Sequence, residues 1–455
     1  MQIAIVWITA SRWIRFGGQR PARYPVVSFH PRPKASRFAF GPAGWRAGLL
    51  LVFLIIWPLQ AMSANSGGLG LRRALERALA ENRELAASTH RRAESAGRLR
   101  QAALIPNPEL GIELENMGGD GAFGDYDNAE TTISLGWAIE PGLRSRRVDV
   151  ARARSAATQL DGRTLRIDVA AETAQRFLTA LQSQEHLVTT EDALMLGERM
   201  LTAVEHRLKA GRATNAELSR ARAQLATAQL AREDVGHEQA VAYHQLAAQW
   251  GETSPSFSRV EGNLLELPDI IPFETLAGRV EDNPEVARLL SEERIAEARV
   301  RLSKARRWPR LVPSFGARKF ETTGDWALVA GMKLELPIFD RNQGDVAASR
   351  AVVARARADT EALRIRTRTA LYAIYEELEH SIHRAEILRG EVIPRFEESL
   401  ADTERAYEMG RFPYYELRAV QAELLAAKHS LVEASTSAHR FVIALERLTG
   451  EMVVR

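Results

Sequence analysis

Two histidines on one predicted helix are the side chains best placed to bind a metal ion. His380 and His383 lie three residues apart, which brings both imidazoles to one face of a helix. With Glu376 or Glu379 they would offer a weak site for zinc, cobalt or nickel. Such a pair is also common on exposed helical surfaces, and the chain has ten histidines among its 455 residues. We therefore treat the pair as a weak metal candidate and predict no resident cofactor.

Enzyme motifs are absent from the sequence. It contains no Gly-x-Ser-x-Gly elbow, no Walker-type phosphate loop and no His-Glu-x-x-His zinc motif. It has no cysteine, which excludes a cysteine nucleophile, disulfides, cysteine-ligated metal and a lipid anchor on cysteine. Paired acids are numerous, but on helices this highly charged they are typical of solvated faces. We predict that the chain is not an enzyme. The alternative is a hydrolase, which would need a catalytic triad whose residues match none of these motifs.

The positive net charge of +3 comes from the N-terminal segment. Residues 1–64 hold eight basic side chains and no acid, so the remainder of the chain has a net charge of −5. Within this segment, residues 47–59 form an apolar run of signal-peptide length, shorter than the ~20 residues of a membrane-spanning helix. We predict that residues 1–64 are a leader with an export signal, with a short membrane anchor as the alternative. We predict no nucleic-acid partner.

The rest of the sequence repeats itself. Residues 82–85 (NREL) recur as residues 283–286 (NPEV), and four further matches follow in the same order at offsets of 196 to 201 residues. Small drifts in offset with preserved order are what changes in loop length leave in a tandem duplication. We predict two repeats, over residues 65–270 and 271–455.

Both repeats predict the same order of elements. A first helix covers about residues 71–103 in one repeat and 273–307 in the other, and each ends at a proline. Two strands with a glycine-bearing turn follow, each close to the ~9–11 residues with which a tilted strand crosses a bilayer. The four predicted strands cover residues 109–117, 131–139, 310–320 and 326–336.

Long helical hairpins complete each repeat. Residues 145–209 and 345–409 predict helices of roughly 100 Å, the second broken mainly by Pro394. Gly211 and Gly410 then reverse the chain, because glycine tolerates positive φ and ends helices readily. The fold class predicted is mainly α with membrane β: duplicated helical hairpins, which would form an α-barrel, plus four transmembrane strands per chain. Four strands cannot close a barrel alone, so several chains would have to pool theirs.

Residues 394–424 (PRFEESLADTERAYEMGRFPYYELRAVQAEL) resemble the TolC-like outer-membrane efflux protein family. Tyr407, Gly410 and Glu416 fall on that family's Tyr-x-x-Gly pattern and on the acid six residues later. Within the family, three segments resemble the CzcC-like components of heavy-metal pumps, although the second departs at PGLR from that group's usual sequence. These segments are residues 107–110 (NPEL), 139–147 (IEPGLRSRR) and 336–344 (LPIFDRNQG).

The resemblance implies a homotrimer in the outer membrane of a Gram-negative bacterium, with a 12-stranded β-barrel and a helical barrel that narrows at its periplasmic end. It implies two partners, a periplasmic adaptor and an inner-membrane transporter of the resistance-nodulation-division type. Divalent heavy-metal cations would pass through without chemistry. The alternatives are a duct of the same family for drugs or organic solvents, a periplasmic adaptor, and a coiled-coil scaffold.

The resemblance also implies a gate at the hairpin tips. Glu416, and less closely Glu217, match acids that constrict the tunnel mouth in the family, where a carboxylate ring would attract cations. Arg411 and Arg418 are predicted to pair with Glu416 and hold the tip closed. The alternative is that both glutamates are solvated acids favoured by the helix dipole.

The tip residues Gly211, Gly410 and Tyr407 are predicted to form the turns and the adaptor-docking surface. Aromatic side chains are present at Phe412 and two neighbouring positions of the second tip, whereas residues 213–216 of the first tip have none. The two tips are therefore predicted to differ, with one hairpin gating and one fixed.

Overall fold

The computed structural model describes residues 68–269 and 271–450. The predicted leader, residues 1–64, lies outside the described residues. Within the described ranges, no helix is long and apolar enough to cross a membrane.

The first half of the described chain follows the predicted order of elements. Its elements are β1 (Leu69–Gly70), α1 (Leu71–Glu81), α2 (Arg83–Ala102), β2 (Glu109–Glu115), β3 (Glu130–Gly136), α3 (Leu143–Lys209), α4 (Asn215–Ala247) and β4 (Val260–Glu261). The short strands β1 and β4 pair in parallel.

The second half repeats this plan. Its elements are α5 (Phe273–Ala277), α6 (Pro284–Ala305), β5 (Leu311–Phe320), β6 (Trp326–Leu334), α7 (Gln343–Ile387), α8 (Ile393–Glu408) and α9 (Tyr414–Thr449). The prediction of a mainly helical chain with two β-hairpins is confirmed, although three of the four strands end two or three residues earlier than predicted.

The prediction of one continuous first helix in each half was wrong. Asn82 interrupts the helix in the first half, and in the second half α5 ends at Ala277, six residues before Asn283 starts α6. Asn82 has an extended backbone, and its side-chain oxygen accepts hydrogen bonds from the amides of Glu84 (2.9 Å) and Leu85 (3.2 Å). This N-cap starts α2 as a new helix. The side-chain amide of Asn82 donates to the carbonyl oxygen of Gln249, which lies 2.9 Å away and just beyond the end of α4.

Asn283 makes the corresponding contacts in the second half. It caps α6 through the amides of Glu285 (2.8 Å) and Val286 (3.1 Å), and donates to the carbonyl oxygen of Leu448 (2.8 Å) near the end of α9. One asparagine in each half thus binds the start of an early helix to the end of the last helix. We call these two residues the asparagine anchors.

The long helices provide the length of the molecule. Helix α3 has 67 residues and extends roughly 100 Å at 1.5 Å per residue. Helices α7 and α8 run almost as far, joined by a π-helical turn over Leu388–Val392. Pro394 follows directly and lacks the amide hydrogen that an α-helix needs. The wider turn before it accommodates the proline without ending the helix.

The four longer strands form one antiparallel sheet in the order β2-β3-β5-β6. The outer edges of β2 and β6 have no strand partner within the described residues. Each of these edges presents backbone amide and carbonyl groups that a further strand would satisfy.

One face of the sheet is apolar and exposed. Leu110 lies opposite Leu135, and Phe315 follows on the neighbouring strand. Leu328 on β6 belongs to the same face and is 94% exposed. In water such a surface would be costly, at roughly 25 cal/mol per Å² of apolar area.

The opposite face is polar and centred on Arg318. Its guanidinium contacts the carboxylates of Glu115 (2.8 Å) and Glu130 (2.6 Å) and donates to the hydroxyl of Thr132 (2.8 Å). The arginine thereby joins β2, β3 and β5. A sheet with one apolar and one polar face is typical of the wall of a water-filled membrane barrel.

Helix α9 packs against both α3 and α7 and contributes side chains to the main apolar clusters. It also buries a titratable group, His439, whose Nε2 lies 3.1 Å from the carbonyl oxygen of Leu264. Burial lowers the pKa of His439, and the carbonyl groups of Leu264 and Glu266 oppose this effect only in part.

We expect His439 to make stability fall as the medium is acidified. Its folded-state pKa is below the unfolded value of about 6.5, so the unfolded chain takes up the proton first as pH falls. Stability should be lost as pH drops below about 7, and the loss should level off below the folded-state pKa. Thermal unfolding of wild type and His439→Gln between pH 5 and 7.5 measures this. The glutamine cannot titrate, so wild type should lose stability more steeply than the variant as pH falls; parallel curves would contradict the prediction.

Candidate functional site: the helical hairpin tips

The tips are two tight turns of the same construction. We call residues 210–214 the first tip and residues 409–413 the second tip. Gly211 and Gly410 have φ values of 68° and 78°, in the left-handed region. The amide of the following arginine donates back five residues, from Arg212 to Arg207 (2.8 Å) and from Arg411 to Ala406 (2.9 Å). This is the glycine-dependent helix ending known as the Schellman motif.

Arg207 binds one tip to the other. Its guanidinium donates one hydrogen bond to the backbone carbonyl of Tyr407 and another to the carbonyl of Arg212 (3.2 Å). It also lies over the aromatic ring of Tyr407, 4.2 Å from the ring centroid. A single cation therefore satisfies carbonyl groups at the ends of two helices and makes a cation–π contact.

Tyr407 is the most buried large side chain at this contact, with 1% of its surface exposed. Its hydroxyl and the Nε of Arg207 are buried, and neither has a hydrogen-bond partner within the described residues. Burial raises the pKa of Tyr407, opposed by Arg207 and reinforced by Glu217 and Tyr414. The tyrosine is therefore neutral at physiological pH, and its ring provides packing for the arginine.

The two candidate gate glutamates occupy equivalent places. Glu217 and Glu416 are each the third residue of a return helix, and both are half-buried. The amide of Glu217 donates to the hydroxyl of the helix cap Thr214 (3.2 Å). Carboxylates in the first turn are favoured by the helix dipole, by about 0.3–1 kcal/mol. The helix dipole alone explains why both glutamates are found at this position, so their role in a gate stays a prediction.

The predicted partners of Glu416 lie elsewhere. Arg411 is exposed, and Arg418 is close enough to Tyr414 to lower its pKa, although burial raises it overall. Within the described ranges, no ion pair of 4 Å or less joins Glu416 to either arginine. The inter-tip contact in this structure is made by Arg207.

The two tips present different surfaces. The second tip exposes Met409 and Phe412, and Tyr415 beside it is exposed as well. The corresponding side chains of the first tip are short, as at Ala213 and Ala216. The predicted difference between the tips is therefore present in the structure as an aromatic surface on one tip only.

The weak metal candidates are not brought together with a third ligand. His380 and His383 are both exposed on α7. Among the residues that the structure describes, no group of three potential ligands includes them.

A large cavity lies between α2, α3, α6 and α7, with a volume of about 1470 Å³. Seven arginines and four acids line it. Burial and the neighbouring guanidiniums of Arg299 and Arg98 lower the pKa of Arg154. This excess of positive charge makes the cavity unsuited to holding cations.

Arg207 was missed by sequence analysis. A basic residue in the last turn of a helix predicts a contact with its own helix end. Nothing in a single sequence indicates that its main partner, Tyr407, lies 200 positions away. The Tyr-x-x-Gly pattern marked Tyr407 but not what it binds.

Replacing Arg207 by alanine should loosen both tips. A hydrogen bond to a charged donor contributes about 1.5–3 kcal/mol, which corresponds to local opening about 10- to 100-fold more often. Hydrogen exchange of peptides covering residues 205–214 and 403–412 should accelerate in both segments. Arg207→Lys should give part of the effect, because lysine keeps the charge but not the planar fork. Arg212→Ala, an exposed tip arginine, serves as control; acceleration confined to residues 205–214 would contradict the contact.

Known proteins are similar to this chain in sequence and in fold. The sequence profile of the outer membrane efflux protein family matches residues 74–252 and 280–451. The cobalt-zinc-cadmium resistance protein CzcC of Cupriavidus metallidurans is 27% identical over 87% of this chain and 92% of its own length. The nickel-cobalt-cadmium resistance protein NccC of Alcaligenes xylosoxydans xylosoxydans is 26% identical over 69% of this chain and 70% of its own.

Solved structures agree in fold. CusC, described as forming a transmembrane channel, superposes with a TM-score of 0.71 at 17% identity, over 84% of this chain and 92% of its own. The outer membrane protein VceC of Vibrio cholerae gives a TM-score of 0.68 at 18% identity, over 84% of this chain and 96% of its own. The family profile matches more than half of the residues of this chain, with one match in each half. This chain therefore belongs to the outer membrane efflux protein family.

Proposed function

We propose that this protein is the outer-membrane exit channel of a tripartite efflux pump for divalent heavy-metal cations, of the cobalt, zinc, cadmium and nickel class. The observation that carries the channel is the four-stranded sheet, with an exposed apolar face, a polar face and two open edges. The similarity to CzcC and NccC over most of their lengths supports the substrate class.

A homotrimer is part of the proposal, and the incomplete sheet supports the pooling of strands from several chains. Small membrane barrels need about eight strands, and no strand edge is tolerated in lipid. Three copies would supply 12 strands, with β6 of each copy pairing with β2 of the next. The apolar face around Leu328 would then face lipid, and the face around Arg318 would line the water-filled interior.

Members of this family work with a periplasmic adaptor and an inner-membrane transporter in tripartite pumps. The aromatic surface of the second tip, including Phe412 and Tyr415, supports docking of the adaptor there, since aromatic side chains are enriched at protein interfaces. The turns at Gly211 and Gly410 set the surface presented to that partner.

The channel is proposed to be passive. The family is a transport component, and the arginine-lined cavity beside the sheet offers cations no binding site. The chain would need neither catalysis nor a cofactor, and selection of the metal would lie with the transporter.

A tandem duplication with a boundary at residue 270 is part of the proposal. The asparagine anchors Asn82 and Asn283 support it, since they make equivalent contacts 201 positions apart. The two separate matches of the family profile support it as well.

We expect Leu328→Glu to prevent assembly in the membrane. A charge on the lipid face costs up to about 2–4 kcal/mol near the bilayer midplane, with acids at the lower end. Wild type expressed in a Gram-negative host should give a trimer-sized band in the outer-membrane fraction that dissociates on heating in detergent. Leu328→Glu should lose most of that band. Ala327→Glu, the adjacent residue on the polar face opposite Arg318, should keep it. A soluble wild-type monomer would end the channel proposal.

The proposed gate can be tested by measuring the ion selectivity of the channel. If three Glu416 carboxylates constrict the tip, Glu416→Gln should reduce cation-over-anion permeability several-fold in planar bilayers. Glu408→Gln, an exposed acid just before the second tip, is the matched control. Unchanged selectivity in Glu416→Gln would leave Glu416 as a helix-dipole residue only.

A further inference from the structure

Three potential metal ligands meet where α3 packs against α9. They are His186 on α3 and His429 and Glu433, one helical turn apart, on α9. One ligand atom from each lies within 4.8 Å of the other two. His186 Nε2 is 3.2 Å from Glu433 Oε1, and the two imidazole rings stack with centroids 4.6 Å apart.

The spacing is close to that of a metal centre. Ligands sharing a tetrahedral zinc at about 2.0–2.1 Å lie roughly 3.4 Å from one another. The three side chains therefore need to move by little more than an ångström, which rotamer adjustment of the exposed His429 can supply. Helix spacing of four residues keeps His429 and Glu433 on one face without moving the backbone.

The surroundings already orient one ligand. Gln182, one turn before His186, donates from its amide nitrogen to Glu433 Oε1 at 2.8 Å. Gln182 and His186 thus contact the same carboxylate oxygen, which fixes the orientation of the carboxylate beside His186. A polar group holding a ligating carboxylate in this way is common around metal sites.

We propose that His186, His429 and Glu433 form a binding site for a divalent transition-metal cation such as zinc or cobalt. Two imidazoles and one carboxylate suit these ions, and three protein ligands leave a fourth position for water. The site is distinct from the hairpin tips and does not depend on what the channel transports. Because its ligands come from both halves of the chain, bound metal fixes α3 against α9.

The full-length protein, purified in detergent and treated with chelator, tests the site directly. Titration with cobalt should produce the absorption bands of a four-coordinate ion with nitrogen and oxygen ligands, and the chain has no cysteine to confuse them. Zinc calorimetry should give one ion per chain. His429→Ala should weaken binding by more than about 100-fold, beyond the usual loss of a supporting residue. Gln182→Ala should weaken it by about 10- to 100-fold.

The double variant His380→Ala/His383→Ala is the matched control, since it removes two exposed histidines that have no third ligand. It should bind zinc like wild type. Zinc should also raise the unfolding temperature of wild type and of this control, but not of His429→Ala, whose exposed position leaves the fold intact. Absence of zinc binding at micromolar concentrations, or binding that survives His429→Ala, would overturn the proposal.

Discussion

The backbone of the four-stranded sheet imposes the constraint on which the rest of the structure depends. A strand edge in hydrocarbon would leave amide and carbonyl groups without partners, at several kcal/mol each. The edges of β2 and β6 can be satisfied by further copies of the same chain, and the apolar face is satisfied by lipid. In the proposed trimer the single chain would be one part of a barrel wall, and its long helices would have to leave the sheet in a direction compatible with neighbouring copies.

The two halves are held together at three separated places. In the sheet, Arg318 joins β2, β3 and β5 through Glu115 and Glu130 of the first hairpin. At the far end, Arg207 holds the second tip through the carbonyl and ring of Tyr407. Between them, α3 and α9 meet at His186 and His429. Each contact joins a residue of the first half to one of the second, so relative movement of the halves must break them.

Local features of the fold could be predicted from sequence. Alternation of apolar and polar residues indicated all four strands, and Gly211 and Gly410 indicated both reversals because glycine adopts positive φ most readily. The breaks at Asn82 and Asn283 were missed, since their helix-like surroundings outweighed one capping residue. The roles of Arg207 and His429, and the lack of an ion pair at Glu416 among the described residues, were not predicted. They depend on contacts between residues about 200 positions apart or on one rotamer, and a single sequence specifies neither. The turns at the two tips were thus predicted in place, whereas the interactions around them were not.

The asparagine anchors have a consequence for how such a chain can arise and be rearranged. Because each anchor binds an early helix of its half to the end of the last helix of the same half, the beginning and end of each half lie side by side. Each half is therefore closed on itself by one side-chain amide, and its ends are held together by a contact within that half. The proposed tandem duplication would copy this closure together with the sequence, and a rearrangement that keeps each half whole would keep its anchor.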